Sequence, residues 1–90
     1  MISEEDATKL IIFEQQRKEL ERTINSEFNR SSYPKQVEIY ANMKKCFDNL
    51  QVYAKEISQR SPPALDLMIE LKELLRKTEA LKTKMKKHID

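Results

Sequence analysis

Residues 39–57 read IYANMKKCFDNLQVYAKEI and carry the most regular apolar pattern in the 90-residue chain. Six apolar side chains alternate three and four residues apart: Tyr40, Met43, Phe47, Leu50, Ala54 and Ile57. That spacing keeps side chains on one face of an α-helix, so it predicts a helix rather than a strand. With Ile39, Cys46 and Tyr53 beside it, the stripe is about 160° wide. A helix with so wide an apolar face is expected to contact two neighbouring helices at once.

Two further helical patterns flank this stretch, and all three prolines fall in or directly beside the short breaks between the patterns. The predicted helices span about residues 3–29, 34–59 and 62–88. Ser3 is expected to cap the first helix, and Ser61 to cap the third with Pro62 at the first helical position, where no backbone N–H is needed. The chain has no glycine, the usual residue of tight turns and strand bends. This absence agrees with a chain made almost wholly of helices.

Short breaks make sequential helices antiparallel neighbours. The sequence therefore predicts an all-α fold, an antiparallel up-down-up three-helix bundle with coiled-coil-like heptad packing, as a single domain over residues 1–90. The alternative is an extended coiled coil whose seams are completed by another chain. The first helix has the weakest stripe, because Arg17 interrupts it between Phe13 and Leu20. Arg17 is expected either to reach water with its head group or to pair with an acid on a partner helix.

The sequence offers little for catalysis or for binding a metal or cofactor. The lone histidine, His88, is expected at a frayed helix end, and the lone cysteine, Cys46, to be a packed thiol rather than a nucleophile. Three methionines and three tyrosines are also predicted to be core residues: Met43, Met68, Met85, Tyr33, Tyr40 and Tyr53. We therefore predict a non-enzymatic protein without cofactors.

The location of the protein is predicted from what the chain lacks. One cysteine cannot form an internal disulfide, which favours a reducing compartment. No apolar run approaches the roughly 20 residues of a transmembrane helix, and the first residues are acidic where a targeting peptide would be basic. A cytoplasmic or nuclear protein without a transmembrane segment is expected.

Five apolar residues lie outside the three stripes and suggest a binding surface. They are Ile11, Ile12, Val52, Leu65 and Ile69. In an up-down-up bundle the start of the first helix, the end of the second and the start of the third share one end, so all five belong to that end. A contiguous exposed apolar patch usually marks a protein contact. These residues are predicted to dock another, helical protein; the alternative is a scatter of single apolar residues, which any protein surface contains.

Acidic and basic side chains are concentrated at opposite ends of the predicted bundle. Residues 1–15 and 48–75, which form the apolar end, hold nine acidic and four basic side chains, whereas the rest of the chain holds six acidic and thirteen basic ones. The last helix contributes Lys82, Lys84, Lys86 and Lys87 to the basic end. Such an end could bind nucleic acid, an anionic membrane surface such as phosphoinositides, or an acidic protein tail. The alternative is that lysines near a helix C-terminus only favour the helix dipole and solubility.

Together these patterns predict a helical protein–protein interaction module, a small subunit or adaptor of a homo- or hetero-oligomeric assembly. The alternative function is an anion-binding module that acts through its lysine-rich C-terminal helix. The general shape resembles small helical subunits of trafficking, tethering, spindle or kinetochore assemblies and the three-helix N-terminal domains of syntaxin-like proteins. No motif of these families can be matched to residues of the chain, so no residue role is carried over.

Overall fold

The computed structural model describes residues 2–89, which form three long α-helices and one short 3-10 helix. In chain order these are α1 (Glu4–Ser26), the 3-10 helix (Phe28–Arg30), α2 (Tyr33–Ser58) and α3 (Leu65–Ile89). Residues 2–89 contain no β-strand, and their Cα atoms extend over 47 × 21 × 15 Å. The predicted all-α fold with three helices is confirmed.

Two clusters of buried side chains show how the helices run. The first cluster combines the end of α2 with the start of α3, and side chains from the start of α1 pack on it: Leu50, Tyr53, Ile57, Leu67, Leu71 and Leu74, with Leu10 and Phe13. The second combines the end of α1, the start of α2 and the end of α3: Ile24, Phe28, Ile39, Met43 and Met85. Successive helices therefore alternate in direction, which confirms the up-down-up bundle. The most extensive contact is between α2 and α3, and α1 makes less contact with each of them.

The first two helices begin with serine caps. The Oγ of Ser3 accepts a hydrogen bond from the backbone N–H of Asp6 at 3.2 Å, as the sequence predicts. Ser32 caps α2 in the same way by accepting from the N–H of Lys35 at 3.4 Å. Each bond satisfies one of the backbone donors that a helix leaves without a partner in its first turn.

The predicted start of the third helix is wrong. Ser61 is not its cap and Pro62 is not its first residue, because α3 begins only at Leu65. A proline excludes the residue before it from the helical region, so Pro63 prevents Pro62 from starting a helix. The Ser61–Pro62 peptide bond is cis. The first helical bond of α3 instead runs from the N–H of Met68 to the carbonyl of Ala64 at 2.9 Å.

The end of α1 also differs from the prediction, whereas α3 ends within one residue of its predicted end. The α-helix stops at Ser26, and the 3-10 turn that follows places Phe28 fully inside the second cluster. Gln36 holds this turn by donating its side-chain amide to the carbonyl of Phe28 at 2.7 Å. His88 is exposed and lies in the last turn of α3, which ends at Ile89, and its ring meets Phe28 edge-to-face at 5.8 Å between centroids.

Between the two clusters, the middle of the bundle contains three buried residues with polar or sulfur-containing side chains: Arg17, Cys46 and Thr78. Arg17 is buried along most of its side chain, and its guanidinium pairs with Glu14 and Glu21, partly exposed acids of its own helix. Within residues 2–89, no ion pair joins Arg17 to another helix, so the predicted pairing across helices is not found. The Nε of Arg17 donates to Glu14 at 3.2 Å, and the pKa of Glu14 is lowered by that hydrogen bonding. The hydroxyl of Thr78 donates to the carbonyl of Leu74, also within one helix. The ion pairs of Arg17 and the Thr78 bond therefore add no attachment between helices.

Replacing Arg17 by leucine is expected to stabilise the bundle by about 1 kcal/mol, because it removes a buried cation and extends the apolar stripe. Glu14 and Glu21 are partly exposed and would be hydrated once their partner is removed. Urea denaturation followed by circular dichroism measures the change. Arg22→Leu is the matched control, since Arg22 pairs with Glu19 on the surface of the same helix, and we expect it to change stability by less than about 0.5 kcal/mol. Destabilisation by Arg17→Leu would mean that the ion pairs hold α1 in place.

Candidate protein-docking face

All five apolar residues that the sequence assigns to a binding surface are exposed. Their exposed fractions lie between 47% for Ile12 and 69% for Val52. Tyr33 and Val37, one turn apart at the start of α2, are exposed as well. The prediction that Tyr33 is a core residue is therefore wrong. At 100° per residue Tyr33 lies about 80° from the buried Met43, at the edge of the apolar stripe rather than within it.

Two of the five residues line adjoining depressions of the surface. Ile11 lines a groove between α1 and α3 that also contains Leu10, Leu74, Glu70 and Glu73. Ile69 lines the adjoining depression on α3, which contains the same two glutamates. Two largely exposed isoleucines thus lie on either side of Glu70 and Glu73. We call this surface the α1/α3 face; it consists of Leu10, Ile11, Ile69, Glu70, Glu73 and Leu74.

The other three residues share the same end of the bundle but not this face. Ile12 lies in the groove on the opposite side of α1, beside Gln16 and Asn49 of α2. Leu65 lines a cavity at the α2–α3 connection with Pro62 and Pro63. Val52 lies about 140° from Phe47 at 100° per residue, on the outer side of α2. The apolar residues are therefore distributed around the end of the bundle, and the α1/α3 face holds two of them.

A buried carboxylate fixes the start of α1 beside this face. Asp6 accepts hydrogen bonds from the hydroxyls of Tyr53 at 2.5 Å and Ser3 at 2.8 Å, and from the guanidinium of Arg60 at 2.7 and 3.2 Å. The bonds from Arg60, followed by that from Tyr53, hold the pKa of Asp6 well below its usual range. Burial and the bond to Asp6 raise the pKa of Tyr53. We call this group, Ser3, Asp6, Tyr53 and Arg60, the Asp6 anchor.

Aromatic contacts add to the anchor. The rings of Phe13 and Tyr53 stack with centroids 5.8 Å apart, and the Nζ of Lys9 lies 5.0 Å from the centre of the Tyr53 ring. In the sequence, Asp6 is only one of the acidic residues near the start of the chain, and no pattern singles out Arg60. The available signal was weak: a charged residue in a break between helices gives no indication of which carboxylate it meets. The anchor and the stacked rings set the rotation of α1, and so the position of Ile11 opposite α3.

The four lysines of the basic end do not form one surface. Lys82 is partly buried, and its Nζ lies 4.3 Å from the centre of the Phe47 ring. Lys86 follows it one turn later on the same side of α3. Lys84 and Lys87 lie roughly 150° away around the helix at 100° per residue. An anion that met one pair would be on the far side of α3 from the other.

Most of the cysteine and methionine side chains that could act as nucleophiles or ligands are packed in the core. Cys46 is buried, which raises the pKa of its thiol, and its Sγ lies 3.5 Å from Oε1 of Gln16. Met43 and Met85 are buried and Met68 is half-buried, as predicted for core residues. Within residues 2–89, no three His, Cys, Asp or Glu side chains are grouped so that they could hold a metal ion. None of the helices in that range has the length and apolar character needed to cross a membrane.

Comparisons with known proteins found no match for the chain among protein-family models, curated proteins or solved structures.

Replacing Asp6 by asparagine is expected to lower the free energy of unfolding at pH 7 by about 2 kcal/mol, because the buried site loses its charge-assisted hydrogen bonds. The pKa of Asp6 is depressed in the folded state, so its stabilisation is fully present above the pKa of an unfolded aspartate, about 4, and is lost as the pH falls towards the folded value. The gap between wild type and Asp6→Asn should thus shrink by about 1 kcal/mol at pH 3.

Urea denaturation at pH 7 and pH 3 measures both free energies. Asp48→Asn is the matched control, since Asp48 is an exposed aspartate of α2. A gap between wild type and Asp6→Asn that stays constant over this range would contradict the assignment of the anchor.

Proposed function

We propose that this protein is a non-enzymatic helical interaction module that docks another protein on the α1/α3 face, as a small subunit or adaptor of a larger assembly. The observation that carries the proposal is the pair of exposed isoleucines, Ile11 and Ile69, on either side of Glu70 and Glu73. Burial of a whole isoleucine side chain is worth about 2 kcal/mol, so two of them left largely exposed are a substantial source of binding energy.

The surroundings of the isoleucines support docking of a side chain or helix rather than chance exposure. Leu10 and Leu74 form the floor between α1 and α3, and charged residues line the groove with them: Glu14, Glu70, Glu73, Lys18 and Lys77. Apolar side chains beside charged ones at the edge of a groove are common in protein interfaces. Because the Asp6 anchor fixes α1 before a partner arrives, the face is preformed, which lowers the entropic cost of binding.

The double variant Ile11→Ser, Ile69→Ser is expected to retain its helicity, because both side chains face solvent. In affinity capture from the source cell, the amount of partner protein recovered should fall at least tenfold, because the loss of both isoleucines removes roughly 2 kcal/mol of apolar burial at the interface. Quantitative mass spectrometry of the captured proteins measures the loss. Circular dichroism checks helicity.

Val52→Ser is the matched control for this experiment, because Val52 is as exposed as Ile69 but lies on the outer side of α2. It should capture the same proteins as the wild type. Equal capture by all three proteins would contradict docking on the α1/α3 face, and a loss with Val52→Ser alone would move the site to α2.

The anion-binding alternative has less support, because Lys82 is held over Phe47 and the remaining lysines are divided between two sides of α3. We expect the protein to bind anionic lipid vesicles or a DNA duplex only weakly at 20 mM salt and not measurably at 150 mM, where surface charges are screened beyond about 8 Å. Fluorescence anisotropy and vesicle co-sedimentation test this. Binding that persists at 150 mM salt and disappears in Lys84→Glu, Lys87→Glu would favour the anion-binding module.

A further inference from the structure

The charges of the α1/α3 groove change sign along its length. Glu70 lies at the end that holds Ile11 and Ile69, and Lys18 and Lys77 line the same groove farther along. Lys77 follows Glu70 by seven residues, which is two helical turns or about 10.5 Å. Among residues 2–89, no ion pair within 4.0 Å is formed by these three side chains.

The acids in the middle of the groove already have partners. Glu14 accepts from the guanidinium of Arg17, and Glu73 accepts from that of Arg76 at 3.1 and 2.6 Å. Lys18 and Lys77 also act on Glu14 at longer range, and both contribute to lowering its pKa. Within the groove that contains Ile11, the charges left for a ligand are therefore negative at Glu70 and positive two turns away, at Lys18 and Lys77. Lys72 lies outside this groove, in the adjoining depression with Ile69.

Helix direction adds a second constraint. In an up-down-up bundle α1 and α3 are parallel, so their dipoles are aligned. A helix laid between them is favoured when it runs antiparallel to both. Its C-terminal part then lies beside Glu70, and its N-terminal part beside Lys18 and Lys77. The groove requires a cation of the incoming helix beside Glu70 and an anion beside Lys18 and Lys77. The helix dipole favours the same arrangement, with the cation near the C-terminus of the incoming helix and the anion near its N-terminus.

We propose that the α1/α3 face receives one amphipathic helix of a partner protein, antiparallel to α1 and α3, with an acidic side chain facing Lys18 and Lys77 and a basic one about seven residues later facing Glu70. Apolar side chains of the incoming helix cover Leu10, Ile11 and Ile69. The proposal rests on the proposed function and adds the chemistry and direction of the partner. The product is a four-helix arrangement in which the groove becomes part of the core.

A second copy of the chain fits this face less well. Two copies related by a twofold axis would bring the same face together in opposite directions. That arrangement satisfies the charges, because Glu70 of one copy meets Lys77 of the other. It also places Ile11 and Ile69 against lysines rather than against apolar side chains, since both isoleucines lie at the Glu70 end. A partner with apolar residues at that end buries them, and a second copy does not.

Two synthetic 21-residue peptides test the proposal. Both peptides have the same amino-acid composition and the same heptad stripe of leucines. In the first, glutamates flank the stripe in the N-terminal half and lysines flank it in the C-terminal half. In the second, the glutamates and lysines are exchanged. We expect the first peptide to bind the full chain about tenfold more tightly at 50 mM salt, with most of this preference lost at 500 mM. Fluorescence anisotropy measures affinity, and ¹⁵N amide shifts locate the bound peptide.

A variant with exchanged charges provides the matched control, because the two peptides differ in their own helicity. In Lys18→Glu, Glu70→Lys, Lys77→Glu the polarity of the groove is reversed while its apolar floor is unchanged. We expect this variant to prefer the second peptide. If the wild type and this variant both prefer the first peptide, the preference is determined by the helicity of the peptide and not by the groove. That result would overturn the proposal.

The remaining outcomes separate this proposal from the proposed function. Equal binding of both peptides, with shifts at Ile11 and Ile69, would overturn the polarity and leave docking on the face intact. Absence of shifts on the α1/α3 face with either peptide would overturn the helical occupant, while the capture experiment with Ile11→Ser, Ile69→Ser tests the face independently. Light scattering that shows a concentration-dependent dimer, lost in that variant, would identify a second copy as the occupant.

Discussion

The packing of α2 against α3 is the contact on which the rest of the bundle depends. Leu50 and Ile57 of α2 and Leu67 and Leu71 of α3 are almost completely buried, and these two helices make the most extensive contact. The first helix is laid over this hairpin and has only three buried residues, two of which are charged. Apolar packing therefore holds α2 and α3 together, whereas α1 depends on the end clusters and on the Asp6 anchor. Because α1 packs only partly between α2 and α3, a groove remains on each side of α1.

Much of the fold can be predicted from the sequence, because a 3-4 apolar spacing and two short proline-containing breaks leave few arrangements for three long helices. The errors lie where a local effect overrides that pattern. Pro63 restricts Pro62 and delays the start of α3, and Phe28 leaves the helical path because a 3-10 turn carries its ring into the core. Arg17 shows a different limit: periodicity indicates that a charge faces inward, but not that acids on the same helix can reach it.

The candidate site is only partly predictable for a related reason. Angular position on a single helix is enough to show that Ile11 and Ile69 are exposed, since each lies outside its own stripe. Whether they lie in adjoining depressions depends on the rotation of α1 against α3, which no single-helix pattern contains. That rotation is fixed by contacts between distant positions, above all the bonds from Tyr53 and Arg60 to Asp6. The same reasoning explains the basic end, where four lysines close in sequence are divided between two sides of one helix.

The short connection between α2 and α3 has a consequence for how the chain folds. The largest block of the core joins two helices separated only by residues 59–64, so its contacts are local and cost little loop-closure entropy. Proteins dominated by such local contacts fold in microseconds to milliseconds. We therefore expect the hairpin of α2 and α3 to form first, and α1, held by fewer apolar contacts and a buried carboxylate, to add to it late. Since α1 precedes the hairpin in the chain, it is then synthesised before the segment on which it packs.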